Sequence, residues 1–431
     1  MFQKIQKVLN ESFEGKTVKI RGWIYRKRDS GAISFIVIRD STNIIQATVK
    51  KNEVDEKTWK NITEAYIETH VEVEGIVKKD ERAPTGFELK VSKLKITSKS
   101  EPFPIAKDNS EEFLLDIRHL WLRSREQNAI MKIKSNIFKS IRNTFYKEGF
   151  VEVTPPIIVS SATEGGSTLF ELDYFGKKAY LSQSSQLYLE SLIFNLDKVF
   201  AITPSFRAEK SRTMRHLAEY WHVEPEAAYY DLDDMVDLAE KMLQNICKDV
   251  IKENSPELVA LGRNPDYLKI TATEKADRIT YDEAIKLLQN KDVKINWGDD
   301  LGTEEERVLT QERKKPVFVM NYPKEIKAFY MKENPKNPKT VLGADCLAPE
   351  GYGEIIGGSQ REDNYEKLIE RIKTTGGKPE DYAWYLDLRK YGSVPHSGFG
   401  LGVERVVRWV CKLEHIRDTI PYPRTINRSY P

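Results

Sequence analysis

Short runs in which β-branched residues alternate with polar ones open the chain: TVKIRGWIYR at 17–26, AISFIVIRD at 32–40, then NIIQATV, VEVEGIV and FELKVSKLKI. Turn-prone stretches such as DSG, DSTN and APTG separate them, and a helical stretch near 53–66 follows the third. The pattern predicts a five-stranded barrel over residues 1–100. The next stretch, SKSEPFPIAKDNSEEF, is polar and carries Pro102 and Pro104, so 101–124 reads as a hinge. Beyond it the period changes. Ile130, Ile133, Ile137, Ile141 and Phe145 recur every three or four residues, predicting an amphipathic helix over 125–148 that Gly149 ends, followed by the strand FVEVT. Further helices are predicted at 184–196, 232–252, 363–373, 379–390 and 403–413, with strands at 198–203, 220–229, 316–322, 326–332, 340–347 and 352–357. Residues 125–431 are therefore expected to form an α+β domain on an antiparallel sheet.

Charge changes this picture in one place. The whole chain of 431 residues has 68 Lys plus Arg against 66 Asp plus Glu, a net +2, which excludes a polycationic nucleic-acid coat. Residues 1–100 alone hold 20 basic against 14 acidic residues, so the barrel carries the positive charge. Five strands with that helix match the layout of an OB-fold, which binds single-stranded nucleic acid by tracking phosphates and stacking bases. Arg26, Lys27 and Arg28 would supply charge; Phe35 is either a stacking platform or a packed barrel residue. No uninterrupted apolar run of about 18 residues occurs, so a membrane span is not expected. Cys247, Cys346 and Cys411 lie far apart in apolar contexts with no C-x-x-C pair, which favours buried small hydrophobes in a reducing, cytoplasmic setting.

Candidate chemistry concentrates in three segments. FRAEKSRTMRH, from Phe206 to His216, is short and basic between two apolar strands; it suits a triphosphate or is an exposed hairpin tip. GEIIGGSQR sets Glu354 and Arg361 seven apart around a glycine pair, for a ligand or metal, or as an ion pair at a strand end. GFGLGVER, from Gly398 to Arg405, alternates glycine strictly and runs into a helix. It is not the dinucleotide fingerprint, but one cleared strand face leaves room for a flat purine.

In this order, with GFVEVTPP ahead of them, the FRAE loop and GFGLGVER resemble motifs 1, 2 and 3 of the class II aminoacyl-tRNA synthetases. The barrel resembles the anticodon-binding module of their aspartyl/asparaginyl/lysyl subgroup. The resemblance implies that Arg207 binds the ATP α-phosphate, that Glu209 and His216 contact ATP, that Tyr220 stacks on adenine and that Arg405 holds the γ-phosphate side. Asp345 and Glu354 are similar to Mg2+-binding acids, although two extra residues separate them compared with the aspartyl pattern. Glu164 and Gln186 match groups that bind the α-ammonium, Arg361 the group that grips the side-chain oxygen, and Arg28, Phe35 and Gln46 positions that read the central anticodon uridine. A homodimer built on motif 1 is also implied.

The aspartyl pattern QSPQLYKQ reads here QSSQLYLE, so Leu189 stands at the lysine position, and the acid of the motif 2 strand is Glu224. A pocket one cation poorer fits a neutral amide, with Glu224 accepting from the amide NH2 and Arg361 donating to its oxygen; an aspartate carboxylate would face Glu224 uncompensated. The expected activity is ATP-dependent activation of L-asparagine and transfer to the 3′ end of tRNA(Asn). The rivals are a non-discriminating aspartyl enzyme, an ATP-dependent asparagine synthetase on the same core, and a nucleic-acid-binding regulator with a dead core. The last predicts damaged motifs, yet Arg207, Glu354 and Arg405 are present.

Overall fold

In the computed structural model, residues 1–106, 108–163, 169–209 and 215–431 are described, and they form two compact units, Met1–Leu120 and Trp121–Pro431. In the first, β1 (Thr17–Ser30) turns Val18, Ile20 and Ile24 inward at every second position. With β2 (Ile33–Arg39), β3 (Ile44–Lys50), β4 (His70–Lys79) and β5 (Phe87–Ser98) it closes a barrel in the order β1-β2-β3-β5-β4 around Ile36, Ile38, Ile45, Val71 and Leu89. The helix Glu56–Glu64 lies between β3 and β4, started by Asp55, which accepts from the Thr58 amide (2.8 Å).

Two basic-run residues part company here. Arg28 pairs across strands with Phe35, its guanidinium 5.2 Å from the ring centroid. Phe35 alternates with the buried Ser34 and Ile36, so it points outward, half-buried, on the face that also carries Gln46, the cross-strand partner of Val37. Lys27 instead donates to the carbonyls of Ile62 (3.1 Å), Thr63 (2.5 Å) and Ala65 (3.0 Å), closing the C-terminal end of the helix. Its charge belongs to the fold.

In the second unit, the helix Arg125–Lys147 starts at Ser124, which accepts from the Gln127 amide, and buries Ile130, Ile133, Ile137, Ile141 and Phe145 completely. The strands are β6 (Val151–Glu152), β7 (Ile158–Val159), β8 (Glu171–Tyr174), β9 (Lys177–Leu181), β10 (Lys198–Phe206), β11 (Glu219–Ala228), β12 (Asp277–Thr280), β13 (Val317–Met320), β14 (Gly343–Ala348), β15 (Gly353–Gln360) and β16 (His396–Gly402). Among the described residues β7, β9 and β8 form a small sheet, and the rest an eight-stranded sheet in the order β12-β13-β14-β15-β16-β11-β10-β6. It is antiparallel through its centre, with parallel pairs at both edges. One face packs Phe200, Val223, Ile356 and Leu401 against the helices Arg125–Lys147, Leu232–Ala260 and Val403–Val410. On β11, the side chains of opposite parity, Tyr220, His222, Glu224 and Glu226, therefore face the other way.

Two expectations change. The apolar run at 326–332 is no strand of the sheet: Lys324–Ile326 is a 3-10 turn, Met331 makes an isolated bridge, and Phe329, Tyr330 and Met331 are buried in a cluster with Leu368, Ile372 and Tyr385. A short apolar run is equally suited to either burial. Leu189, expected in the substrate pocket, sits on the helix Gln186–Leu196 enclosed by Ile193, Val199, Ala201 and Ala228. One residue is 100° of helix, and it turns Leu189 away from the face that Gln186 shares with Glu190.

Leu189→Lys is accordingly expected to lower stability by several kcal/mol, by burying an ammonium among aliphatic side chains; thermal unfolding reads it, and a melting temperature equal to wild type contradicts the placement. Lys27→Met should cost about 2 kcal/mol locally, seen as faster amide exchange in Glu56–Glu64.

Candidate active site

The polar face of the eight-stranded sheet floors a cleft of about 750 Å³ whose lining includes Gln186, Arg207, Glu224, Asp345, Glu354 and Arg361. A smaller hollow, lined by His216, Tyr220 and Arg405, adjoins it and shares Arg207, His222, Glu354 and Gly400. The three motif-like segments, distant in sequence, thus converge. Glu164 lies outside the described residues.

At the basic end, Arg207 follows β10, its backbone N–H donating to the Ala218 carbonyl (3.0 Å) and its guanidinium 5.7 Å from the Tyr220 ring centroid. Glu209 lies 3.9 Å from Arg207 Nη1 and 3.7 Å from His216 Nε2. Burial, then the nearby Arg405, lowers the His216 pKa, which favours the neutral ring. Arg405, in the first turn of Val403–Val410, donates to the Glu354 carboxylate (2.9 Å) and carbonyl (3.2 Å). Its neighbour Glu404 is held by Lys134 (2.5 Å) and accepts from the Trp221 amide (2.9 Å), which ties that helix start to β11. Glu306 accepts from Arg215 (2.6 Å) and from the Glu354 amide (2.8 Å). Lost hydration opposes ionisation of Glu354, but Arg405 and Lys327 outweigh it and bring its pKa down to about 2.

Asp345 and Glu354 meet across Gly357. Asp345 is its cross-strand partner, and a Cβ built there would lie 3.2 Å from Glu354 Oε1 and 3.4 Å from Asp345 Oδ1. Lys327, which sequence reasoning did not single out, donates to Asp345 (2.5 Å). Two adjacent carboxylates are hard oxygen donors of the kind Mg2+ takes.

At the other end Arg361, 3% exposed, donates to Glu226 through Nε (3.1 Å) and Nη2 (2.9 Å) and to Ser359 Oγ through Nη1 (2.9 Å). Loss of hydration raises the pKa of Glu226 although Arg361 pulls it down; Arg361 itself is held firmly protonated. Glu224, 3% exposed, accepts from the Ser184 hydroxyl and the Ser185 amide (2.8 Å), with His222 Nδ1 3.4 Å away. Gln186 donates to Glu190 (3.0 Å).

The alternating glycines of β16 do something other than expected. A Cβ on Gly398 would run into the Glu226 carboxylate and one on Gly400 into the His222 ring. The face they clear is filled by side chains of β11, not left open for a purine along its whole length. Glu226 was legible in principle, since it follows Glu224 by two residues on a strand and so shares its face. Glu190 was legible too: it lies four residues after Gln186 on a helix, and the pattern QSPQLYKQ carries Gln where this chain has Glu.

A family model, tRNA synthetases class II (D, K and N), matches residues 110–426, and one for the OB-fold nucleic acid binding domain matches 18–97. The asparagine–tRNA ligase of Thermococcus gammatolerans is 55% identical over 97% of each chain, and that of Thermoplasma acidophilum 51% over 99% of each. The crystal structure of asparaginyl-tRNA synthetase from Pyrococcus horikoshii complexed with asparaginyl-adenylate superposes with a TM-score of 0.95 at 52% identity, covering all of both chains. With the α+β fold, the OB barrel and the converging motifs, these likenesses make the chain a member of the asparagine–tRNA ligase family of class II tRNA synthetases.

Proposed function

We propose that the chain activates L-asparagine with ATP and passes the acyl group to tRNA(Asn) through the groups just described. The observation that carries this reading is that Glu224 and an Arg361 already compensated by Glu226 line the same cleft. Arg361 spends its charge on Glu226, and Glu224 keeps acceptor capacity beyond the Ser184 and Ser185 donors. A carboxamide satisfies both, donating N–H to Glu224 and accepting at oxygen from Arg361. A carboxylate has no N–H for Glu224.

In the first step the asparagine carboxylate attacks the α-phosphorus, forming the acyl–phosphate bond as the bond to pyrophosphate breaks. Arg207 and Arg405 stand at the basic end, where charge develops on phosphate oxygens, and Glu209, His216 and Tyr220 line the nucleotide side. Asp345 and Glu354 would hold Mg2+, which when bound supplies charge neutralisation of the phosphates. In the second step a terminal ribose hydroxyl of the tRNA takes the acyl group and AMP leaves. Gln186, and Glu164 by resemblance, are assigned to the α-ammonium.

The barrel, residues 1–100, is assigned to the anticodon; Arg28, Phe35 and Gln46 on one outward face support that role. Residues 101–124 are assigned as hinge and 125–431 as catalytic domain. A homodimer rests on the motif 1 likeness of GFVEVTPP. A cytoplasmic setting rests on three buried free thiols, and among the described residues no helix is long and apolar enough to cross a membrane.

Amino-acid-dependent pyrophosphate exchange, run with asparagine and aspartate in parallel, tests the reading; exchange with aspartate alone, or tRNA-independent conversion of aspartate to asparagine, would overturn it. Glu224→Ala is expected to raise aspartate use relative to asparagine by on the order of 10-fold or more, read as the ratio of kcat/KM values. Glu354→Gln should cut exchange by about 100-fold and raise the Mg2+ concentration needed for half-maximal rate. Because the folded-state pKa of Glu354 is depressed, its pairing with Arg405 is fully present above the ordinary carboxylate range and fades only as pH falls toward about 2. The acid limb of the rate should therefore keep its position in Glu354→Gln, and a shift of that limb would contradict the placement of Glu354 beside Arg405.

A further inference from the structure

Behind the cleft wall, five side chains converge on one carboxylate. Glu190, wholly buried, accepts from Tyr385 (2.9 and 2.8 Å), Gln186 (3.0 Å) and Arg389 (2.5 Å), with His396 Nε2 at 2.9 Å and Arg361 Nε at 4.0 Å. These groups come from the helices Gln186–Leu196 and Ala383–Lys390, from β16 and from the segment after β15. Ligand atoms of Glu190, Glu226 and His396 lie within 4.8 Å of one another, the geometry of a metal site, but two guanidiniums already occupy the neighbourhood of those carboxylates. Its two guanidiniums are Arg361 and Arg389, and the His396 ring faces acceptors at both nitrogens, the Val394 carbonyl at Nδ1 (2.7 Å) and Glu190 at Nε2.

Charge accounting then assigns Glu190 a task. Glu190 and Glu226 are the carboxylates set against Arg361 and Arg389, all four almost wholly buried, so water cannot make up for the loss of either acid. Two of the cleft's ligand-facing groups, Gln186 and Arg361, also lean on this carboxylate. We infer that Glu190, which does not line the cleft, is a specificity-determining positioning residue: it cancels the second guanidinium behind Arg361 and so keeps the side-chain pocket unattractive to a carboxylate. This deepens the asparagine reading and rests on it.

Glu190→Gln keeps the shape and removes the charge. The expected result is a roughly tenfold rise in the aspartate-to-asparagine ratio of kcat/KM, carried mainly by KM and measured by pyrophosphate exchange on the full chain. Glu190→Asp, which keeps the charge, should hold the ratio near wild type even if asparagine KM rises. A ratio unmoved in Glu190→Gln, or moved equally in both variants, overturns the assignment. Should Glu190→Gln not fold, the double variant Glu190→Gln with Arg389→Leu carries the test by removing the acid together with the guanidinium it cancels: an aspartate-to-asparagine ratio within about twofold of wild type is expected, and a roughly tenfold rise overturns the assignment. Wild-type enzyme without asparagine-dependent exchange would sink the underlying function instead, so the two failures are distinct.

Discussion

A guanidinium taken out of water must meet a carboxylate, and the arrangement of the cleft follows from that requirement at Arg361. Arg361 is 3% exposed, and the Coulomb attraction of an ion pair repays desolvation only when the geometry is good and the remaining donors find partners. Glu226 takes two of its nitrogens and Ser359 the third. Those partners lie on β11 and β15, which do not pair directly: β16 runs between them. The charge pair thus spans three strands and fixes how closely β11 and β15 approach across the strand between.

The same requirement organises the basic end, with a different outcome. Arg405 and Arg215 are matched to Glu354 and Glu306, but the two carboxylates are themselves linked, since Glu306 accepts from the Glu354 backbone. Glu354 is ionised far below the usual range while Glu306 is pushed upward by burial and by Glu354 itself. Proton affinity is divided unequally between two acids joined by one N–H, so the one facing the cleft keeps its charge.

Much of this was legible in the chain. The isoleucine spacing at 130–145 marks a helix that buries each of those residues, and alternation marks each barrel strand. The order of the three charged, glycine-rich segments indicates one site. What remained hidden has physical causes. The helix Tyr281–Gln289 announces itself by the reciprocal cap of Thr280 and Glu283, a four-residue signal inside a polar stretch that periodicity alone passes over. Likeness to a lysine pattern points Leu189 into the pocket, whereas an aliphatic side chain follows its nearest apolar neighbours. Lys27 looked like one of three equivalent cations because sequence does not reveal which of them a helix end will claim.

Gly398 and Gly400 give the cleft a property seldom sought in a strand. They supply no side chain to its floor, yet each is moulded to a group on the adjacent strand, Glu226 and His222. A single methyl at either would push an acid or an imidazole into the volume meant for substrate. The cavity's dimensions are consequently held by hydrogen atoms, and any larger residue at either position has to displace Glu226 or His222 to be accommodated.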